Sequence, residues 1–405
     1  MDAVAFQKRQ RSRRGDMLQA AVVEINHRGM RGMTLASVAG QLGLAAPAVI
    51  YYFGSKERLV AEVFLKAISH YDGLVAKAEA GPSAPRKIEL LLGAFFSARG
   101  DIDMGGREPV VLFNDVRALN NAEVNAAFVA LFRRVRGLLP HTASLTAVDR
   151  NARAHLLLAQ LFWAVAWARR FNIRDYPLLA PRMADILLGG LVPAGGPSVE
   201  TSPLQDIPAP PATEPRELFL RAATELINAE GYHGASVERI SARVHVTKGA
   251  FYHHHHTKND LVIACFQRTI DTIWRTLESA GTERTGLGVL TSTCATLIDH
   301  QFQGESPLLS TTALSTLPAA MQTEITEKID QIGRRYAMLV SDGVADGSIR
   351  PVDVNVAAQL LVGAVNAAAE LPFWTPGLAP ARAVATFGRL IFAGLGAKPM
   401  TEANR

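Results

Sequence analysis

The feature that most constrains this chain is that it repeats itself. Displaced by 202 residues, positions 14–66 fall on positions 216–268 without a gap. Identical pairs include Arg14/Arg216, Leu18/Leu220, Ala21/Ala223, Ile25/Ile227, Asn26/Asn228, Gly29/Gly231 and Gly32/Gly234. They continue through Ala48/Ala250, Lys56/Lys258, Leu59/Leu261, Val60/Val262 and Phe64/Phe266. Leu35/Val237, Val38/Ile240, Leu42/Val244 and Leu44/Val246 keep their apolar character. Coincidence of both glycines and apolar faces marks a duplicated structural unit. Residues 194–213, AGGPSVETSPLQDIPAPPAT, are rich in Pro, Ser and Gly and read as a linker. In a Pro-rich extended form, at ~3.1 Å per residue, they would reach roughly 60 Å. Such a tether leaves the two halves free to pair symmetrically.

The pattern within each half is helical. Leu18, Ala21, Val22 and Ile25 follow the i, i+3, i+4, i+7 rule, as do Leu220, Ala223 and Ile227. Alternating strand patterns and Asn-Gly hairpins are missing, so the expected fold is all-α. The 48% hydrophobic and 20% charged fractions suit a globular chain with a sizeable core. The most apolar run, Leu156 to Ala168, falls short of the ~20 residues that span a bilayer and contains Gln160. The charged N-terminal stretch is no secretory signal, and the expectation is a soluble, cytoplasmic protein with no membrane contact. Two cysteines, Cys265 and Cys294, exclude a disulfide framework and a multi-Cys metal site. They read as core thiols rather than redox sensors. No P-loop, GxSxG, HExxH or CxxC motif supports an enzyme. A net charge of +5 points to nucleic acid only if a local pattern agrees.

That pattern is present. Gly29 is placed to end a first helix and Thr34 to cap a second, whose buried face is Val38, Ala39 and Leu42. Gly43 allows a tight turn and Leu44 plugs the core beneath it. A short third helix runs from Ala45 to Tyr52, and Ser55 caps a long fourth. Helix, three-residue turn and short helix is the geometry that sets a helix into the major groove. In the second copy Ser236 and Thr247 are the caps, and Val237, Ile240, Val244 and Val246 the core. His245 replaces the turn glycine, and His tolerates positive φ better than most residues.

At these residues the sequence resembles the tetracycline-repressor family of transcriptional regulators, twice over. The first copy carries the resemblance at Thr34, Val38-Ala39, Leu42-Gly43-Leu44-Ala45, Ala48 to Phe53 and Ser55-Lys56. The second carries it at Ser236, Ile240-Ser241, Val244 to Thr247, Lys248 to His255 and Thr257-Lys258. The resemblance implies two similar units. Each would have an N-terminal three-helix head (1–55 and 214–257) and a helical ligand-binding and dimerisation domain (56–193 and 258–400). It implies DNA contacts at the start of each third helix: Ala45, Ala46, Pro47 and Ala48, then Thr247, Lys248, Gly249 and Ala250. Tyr51, Tyr52, Lys56, Tyr252, His253, His254 and Lys258 would hold phosphates, with Thr34, Ser37, Ser236 and Arg239 as lesser contacts. Ile50 stands where the family has a DNA-contacting Tyr, Tyr52 where it has His, and His255 where it has the Phe that Phe53 keeps.

A basic arm with Arg11, Arg13 and Arg14 precedes the first head, and would follow the DNA backbone or enter the minor groove. The second head has no such arm, and the reading helices differ, so the expected operator is an imperfect palindrome. The run His253 to His256 suggests metal, but successive helical side chains point about 100° apart and at most two can share an ion. DNA contact with packing is the favoured reading, and no metal or cofactor is expected.

The resemblance also implies a small apolar or amphipathic effector. Phe95, Phe96, Phe113, Phe132, Trp163 and Trp167 are pocket candidates in the first half. Phe302, Leu309, Tyr336 and Trp374 are those of the second. Aromatics at helical spacing equally describe plain core. Arg99, Arg117, His155 and His300 are candidate polar anchors. Helices over 152–170 and 352–371, with the closing ones near 178–191 and 379–395, are apolar nearly all round and must be buried. By resemblance the last two of each half would form a four-helix interface, making one chain a pseudo-dimer. A chain-level homodimer with four heads and a sequence-indifferent architectural binder remain as alternatives.

Overall fold

The computed structural model describes residues 3–113, 119–142, 144–196, 201–205, 207, 214–246, 257–303 and 307–397. Every regular element among them is helical. Short polar side chains start these helices. Thr34 accepts from Ser37 N (3.0 Å) while Ser37 Oγ accepts from Thr34 N (3.2 Å), a reciprocal cap. Thr146 with Asp149 and Thr257 with Asp260 repeat that arrangement, and Ser55, Ser83, Asn121, Ser236 and Asp353 cap singly. Each such cap contributes about 1 kcal/mol.

The first head is α1 (Ala3–Gly32), α2 (Leu35–Gln41) and α3 (Ala46–Phe53). Gly29 breaks α1 at φ 69°, where a glycine was expected to end it. The body of the first unit follows: α4 (Lys56–Glu79), α5 (Ala84–Asp103), α6 (Ala122–Leu138), α7 (Ala147–Trp167) and α8 (Tyr176–Gly189). The second unit begins with α9 (Pro215–Gly234), broken at Gly231 (φ 73°), and α10 (Val237–Arg243). It continues with α11 (Lys258–Ser279), α12 (Gly286–Gln303), a short 3-10 helix (Thr311–Thr316), α13 (Ala319–Ala345), α14 (Val354–Ala368), α15 (Leu371–Trp374) and α16 (Pro380–Ala393). Linker residue Leu204 donates its N–H to Thr296 Oγ1 of α12 (2.9 Å), so the linker touches the second body there.

The bodies meet through α7 and α8 on one side and α14 and α16 on the other. Alanines and Gly363 keep α14 thin, and a Cβ at Gly363 would lie 2.5 Å from the Trp163 ring. That approach lets α7 side chains reach α14 carbonyls: His155 Nε2 bonds Ala367 O (2.7 Å), Gln160 donates to Leu360 O (2.8 Å) and Trp163 to Gln359 O (2.9 Å). The ends of α8 and α16 pair through backbone, with Leu191 N donating to Phe392 O and Leu395 N to Leu187 O (2.7 Å each). Arg350 adds ion pairing to Asp185 (2.9 Å). The seam buries apolar side chains such as Phe387 and Phe392, and leaves Gln160 Oε1 and Gln359 Oε1 without a partner among the described residues. Each large side chain so buried contributes roughly 1.5–3 kcal/mol.

The first head shares one continuous core with both bodies. The second head has a core of its own, which takes in Leu309, Ala313, Leu317 and Ile325 from the connection into α13. No single helix among the described residues is long and apolar enough to cross a membrane.

Candidate nucleic-acid interface

The first head turns between α2 and α3 on Gly43 at φ 66°. The turn delivers α3 with Val49 and Phe53 buried and its opposite face outward. On that face Ala45, Pro47 and Ile50 are exposed, and Tyr51 is 75% exposed. Ala46 and Ala48 are half-buried, small enough for close approach of a base edge. Tyr52 is half-buried with its ring edge-on to Tyr51 at 5.3 Å. Thr34 is exposed and Ser37 half-buried, but their hydroxyls are already spent on the reciprocal cap.

Two expectations change. The basic segment is not an extended arm: residues from Ala3 onward are helical and continue α1. A helix some 10 Å across is wider than a minor groove of about 6 Å, so the segment can reach that groove only through its side chains. Arg14 pairs with Glu62 of α4 and lies over the Phe53 ring at 4.9 Å, whereas Arg13 is exposed. The Arg11 side chain lies outside the described residues. Lys56 is also engaged, donating to Arg31 O at the end of α1 (3.0 Å), and burial lowers its pKa. Lys258 does the same to Tyr232 O and sits 4.1 Å above the Tyr232 ring. Burial pushes its pKa down to about 8. The matched lysines therefore tie α4 to the carbonyl end of α1 and α11 to that of α9.

In the second head His245 occupies the turn at φ 57°. Ser236 caps α10, accepting from Arg239 N at 3.3 Å. Arg239 pairs with Glu230, which also meets Arg31 of the first head at 3.2 Å, so the heads touch across α1 and α9. Thr247, Lys248, Gly249, Ala250, Tyr252, His253 and His254 lie outside the described residues, as do His255, His256 and Arg117.

One feature went unassigned at the level of sequence. Asn26 donates to Val110 O (3.1 Å) and accepts from Leu112 N (2.9 Å). Its repeat partner Asn228 donates to Leu308 O (2.8 Å) and accepts from Ser310 N (2.9 Å). In each unit the first helix of the head thus grips the extended chain that follows the second helix of the body. The identity of the two asparagines in the repeat was the available signal.

That gripped chain leads to the effector candidates. Val110, Val111 and Leu112 line a space of only about 20 Å3 with His70, Tyr71, Phe95, Arg99 and Val165. Arg99 holds Asp103, which also accepts from Tyr176 (2.9 Å). Burial opposes the Asp103 carboxylate, but the Arg99 guanidinium keeps it below its ordinary pKa. Phe113 stacks on Phe162 at 4.8 Å and meets Tyr71 edge-on. Phe96 packs against Trp167 and Tyr176. Trp163 and Trp374, expected in separate pockets, lie instead on the seam: Trp163 bonds α14, and Trp374 of the second unit stacks on Phe132 of the first at 3.6 Å. His155 is likewise committed to the seam. In the second body Leu309 and Tyr336 are buried and Phe302 half-buried. Cys265 and Cys294 are buried, which pushes both thiols up to about 12.

The pattern of bacterial regulatory proteins of the tetR family matches residues 17–63 and again 219–265. A tetracyclin repressor-like C-terminal domain matches residues 290–370. The Transposon Tn10 TetC protein of Escherichia coli is 25% identical over 146 residues, covering 36% of this chain and 73% of that protein. The fatty acid metabolism regulator protein of Bacillus subtilis (strain 168) is 25% identical over 157 residues, covering 36% and 78%. The solved structure of AibR with isovaleryl coenzyme A and operator DNA covers 44% of this chain and 98% of its own, at 23% identity and a TM-score of 0.38. Taken with the two heads and their caps, the matches place the chain in the tetracycline-repressor family of DNA-binding transcriptional regulators, with two of the family's N-terminal units in one polypeptide.

Proposed function

We propose that the chain is a ligand-relieved repressor in which two covalently linked heads, 1–55 and 214–257, read one imperfect palindrome. The bodies, 56–193 and 258–400, act as an intramolecular pseudo-dimer joined by the 194–213 linker. The observation that carries this reading is the seam. Helices α7, α8, α14 and α16 use their apolar faces and backbone ends on each other. One chain therefore supplies both members of a head pair. The heads differ at the turn, Gly43 against His245, and in the basic segment ahead of α1, which favours unequal half-sites.

The effector is a small apolar or amphipathic molecule, in keeping with the Bacillus subtilis relative being named a fatty acid metabolism regulator. The space beside Tyr71 and Arg99 is small, so such a molecule must part the Phe113–Phe162 cluster. Parting it displaces Val110 to Leu112, the chain that Asn26 holds, and so shifts α1. The effector must favour the state that does not bind DNA. In vitro selection from random duplexes, followed by native mass spectrometry, tests the reading. One chain on a duplex with two unequal half-sites is expected. Two chains per duplex would mean four heads, and failure to enrich any sequence would favour an architectural binder.

A further inference from the structure

Beyond the effector region, the body of the first unit contains a larger cavity of different character. It measures about 270 Å3 and is lined by Arg133, Arg136, His141, Arg150 and Arg153, with Gly137, Leu139 and Pro140. It sits where α6 ends and α7 begins. No carboxylate lines it. Arg136 donates to Asn151 Oδ1 (2.9 Å) and Arg150 to Leu145 O (2.7 Å), both neutral acceptors. Arg133 is exposed and makes no ion pair among the described residues.

Arg153 is the informative member. It is 1% exposed, and its Nε donates to Leu395 O of the second unit (2.9 Å), with Nη2 on Ala397 O. Its Nη1 is buried with no partner among the described residues. The nearest acid, Asp149, is occupied by the Thr146 cap and by Arg389 at 3.0 Å. A buried guanidinium with an unmade hydrogen bond, beside three more of like charge, is costly unless an anion completes it. Guanidinium forks match the paired oxygens of phosphates.

We infer that this cavity binds a small molecule bearing adjacent phosphate groups, held by Arg133, Arg136, Arg150 and Arg153. Operator DNA is not the occupant. Lys56, at the start of α4, abuts the head, whereas Arg134 beside the cavity pairs with Glu79 at the far end of that 24-residue helix. The helix alone separates them by roughly 36 Å. Because Arg153 also holds the last turn of the second unit, the bound anion braces the seam.

Isothermal titration of the full chain with inorganic pyrophosphate at low salt is the test, with adenosine diphosphate as a second probe. One saturable site per chain is expected, weakening as salt rises. Arg133→Ala and Arg136→Ala each weaken it about tenfold. Neither substitution removes a bond to a charged group, so circular dichroism and melting confirm that the fold survives. Tighter binding of the diphosphate ester than of pyrophosphate identifies an organic ligand; equal binding identifies the phosphate groups alone. No binding, several weak sites, or unchanged binding in both variants overturns the inference.

Discussion

Positions 66 and 268 correspond in the repeat, yet they find their partners in opposite ways. Lys66 makes a surface pair with Glu108 at 2.6 Å. Arg268 is buried against Glu217 at 2.7 Å and donates to Pro307 O at 3.1 Å. Glu217 falls where the first unit has Gly15. Two exchanges, Gly for Glu and Lys for Arg, thus turn a solvated contact into a desolvated one on the same scaffold. The guanidinium suits that role, since its fork serves a carboxylate and a carbonyl together. A duplicated fold preserves helices and core, while the pairing at matched positions is free to diverge: Lys66 stays within the first body, whereas Arg268 ties α11 to Glu217 of the second head.

The contrast is tested most strongly at the carboxylates. Glu217→Ala takes the carboxylate away from a buried guanidinium and is expected to cost about 3–5 kcal/mol. Glu108→Ala removes an exposed partner and costs at most about 1 kcal/mol. Urea unfolding of the two variants measures both, and equal losses would remove the distinction between the two pairs.

The asparagine grips should behave in the contrary way, because they are the same in both units. Asn26→Ala and Asn228→Ala each lose one donor and one acceptor to the extended chain, for about 1–3 kcal/mol. Hydrogen exchange at the Leu112 and Ser310 amides should accelerate in the respective variant and not in the other. Exchange that changes in both units from a single substitution would mean that the grips are coupled through the heads.

How far the sequence could be read follows the same division. The helices, their caps and the turn at Gly43 and His245 were legible because each depends on residues a few positions apart. The apolar helices of the seam were legible as buried faces. What escaped was the partner of each polar or aromatic side chain. Lys56 and Lys258 look like free cations until α1 and α9 are placed beside them. Trp163 and Trp374 read as pocket aromatics because spacing gives a face and not the neighbour across it. The arginines of α6 and α7 drew no assignment, since nothing local reveals that Arg153 is buried.

The turns sharpen the comparison on a smaller scale. Nothing lies within 4 Å of a Cβ built on Gly43, so Gly43→Ala probes backbone alone. At φ 66° it is expected to cost about 1–2 kcal/mol. His245→Gly relieves the same strain but frees the unfolded chain, and the net gain stays below about 1 kcal/mol. Thermal melting of the pair shows whether the second head accepted a strained turn or found compensation for it.

The two matched lysines carry an effect that appears only at alkaline pH, and it has a definite sign. Burial lowers both, and Lys258 falls to about 8 from the ordinary 10.5. Between about 8 and 10.5 the unfolded chain keeps a proton on this lysine that the folded head has released. The unfolded state therefore binds more protons, and stability contributed here rises with pH across that window. Below about 8 both states are charged and the slope disappears. An NMR titration of the lysine Cε resonances should place Lys258 near 8, with Lys56 also below the ordinary lysine value. Lys258→Met, which keeps the stem and removes the charge, should abolish the rise. A midpoint at the ordinary value would mean that the Tyr232 carbonyl and ring together hold the ammonium strongly enough to offset its burial.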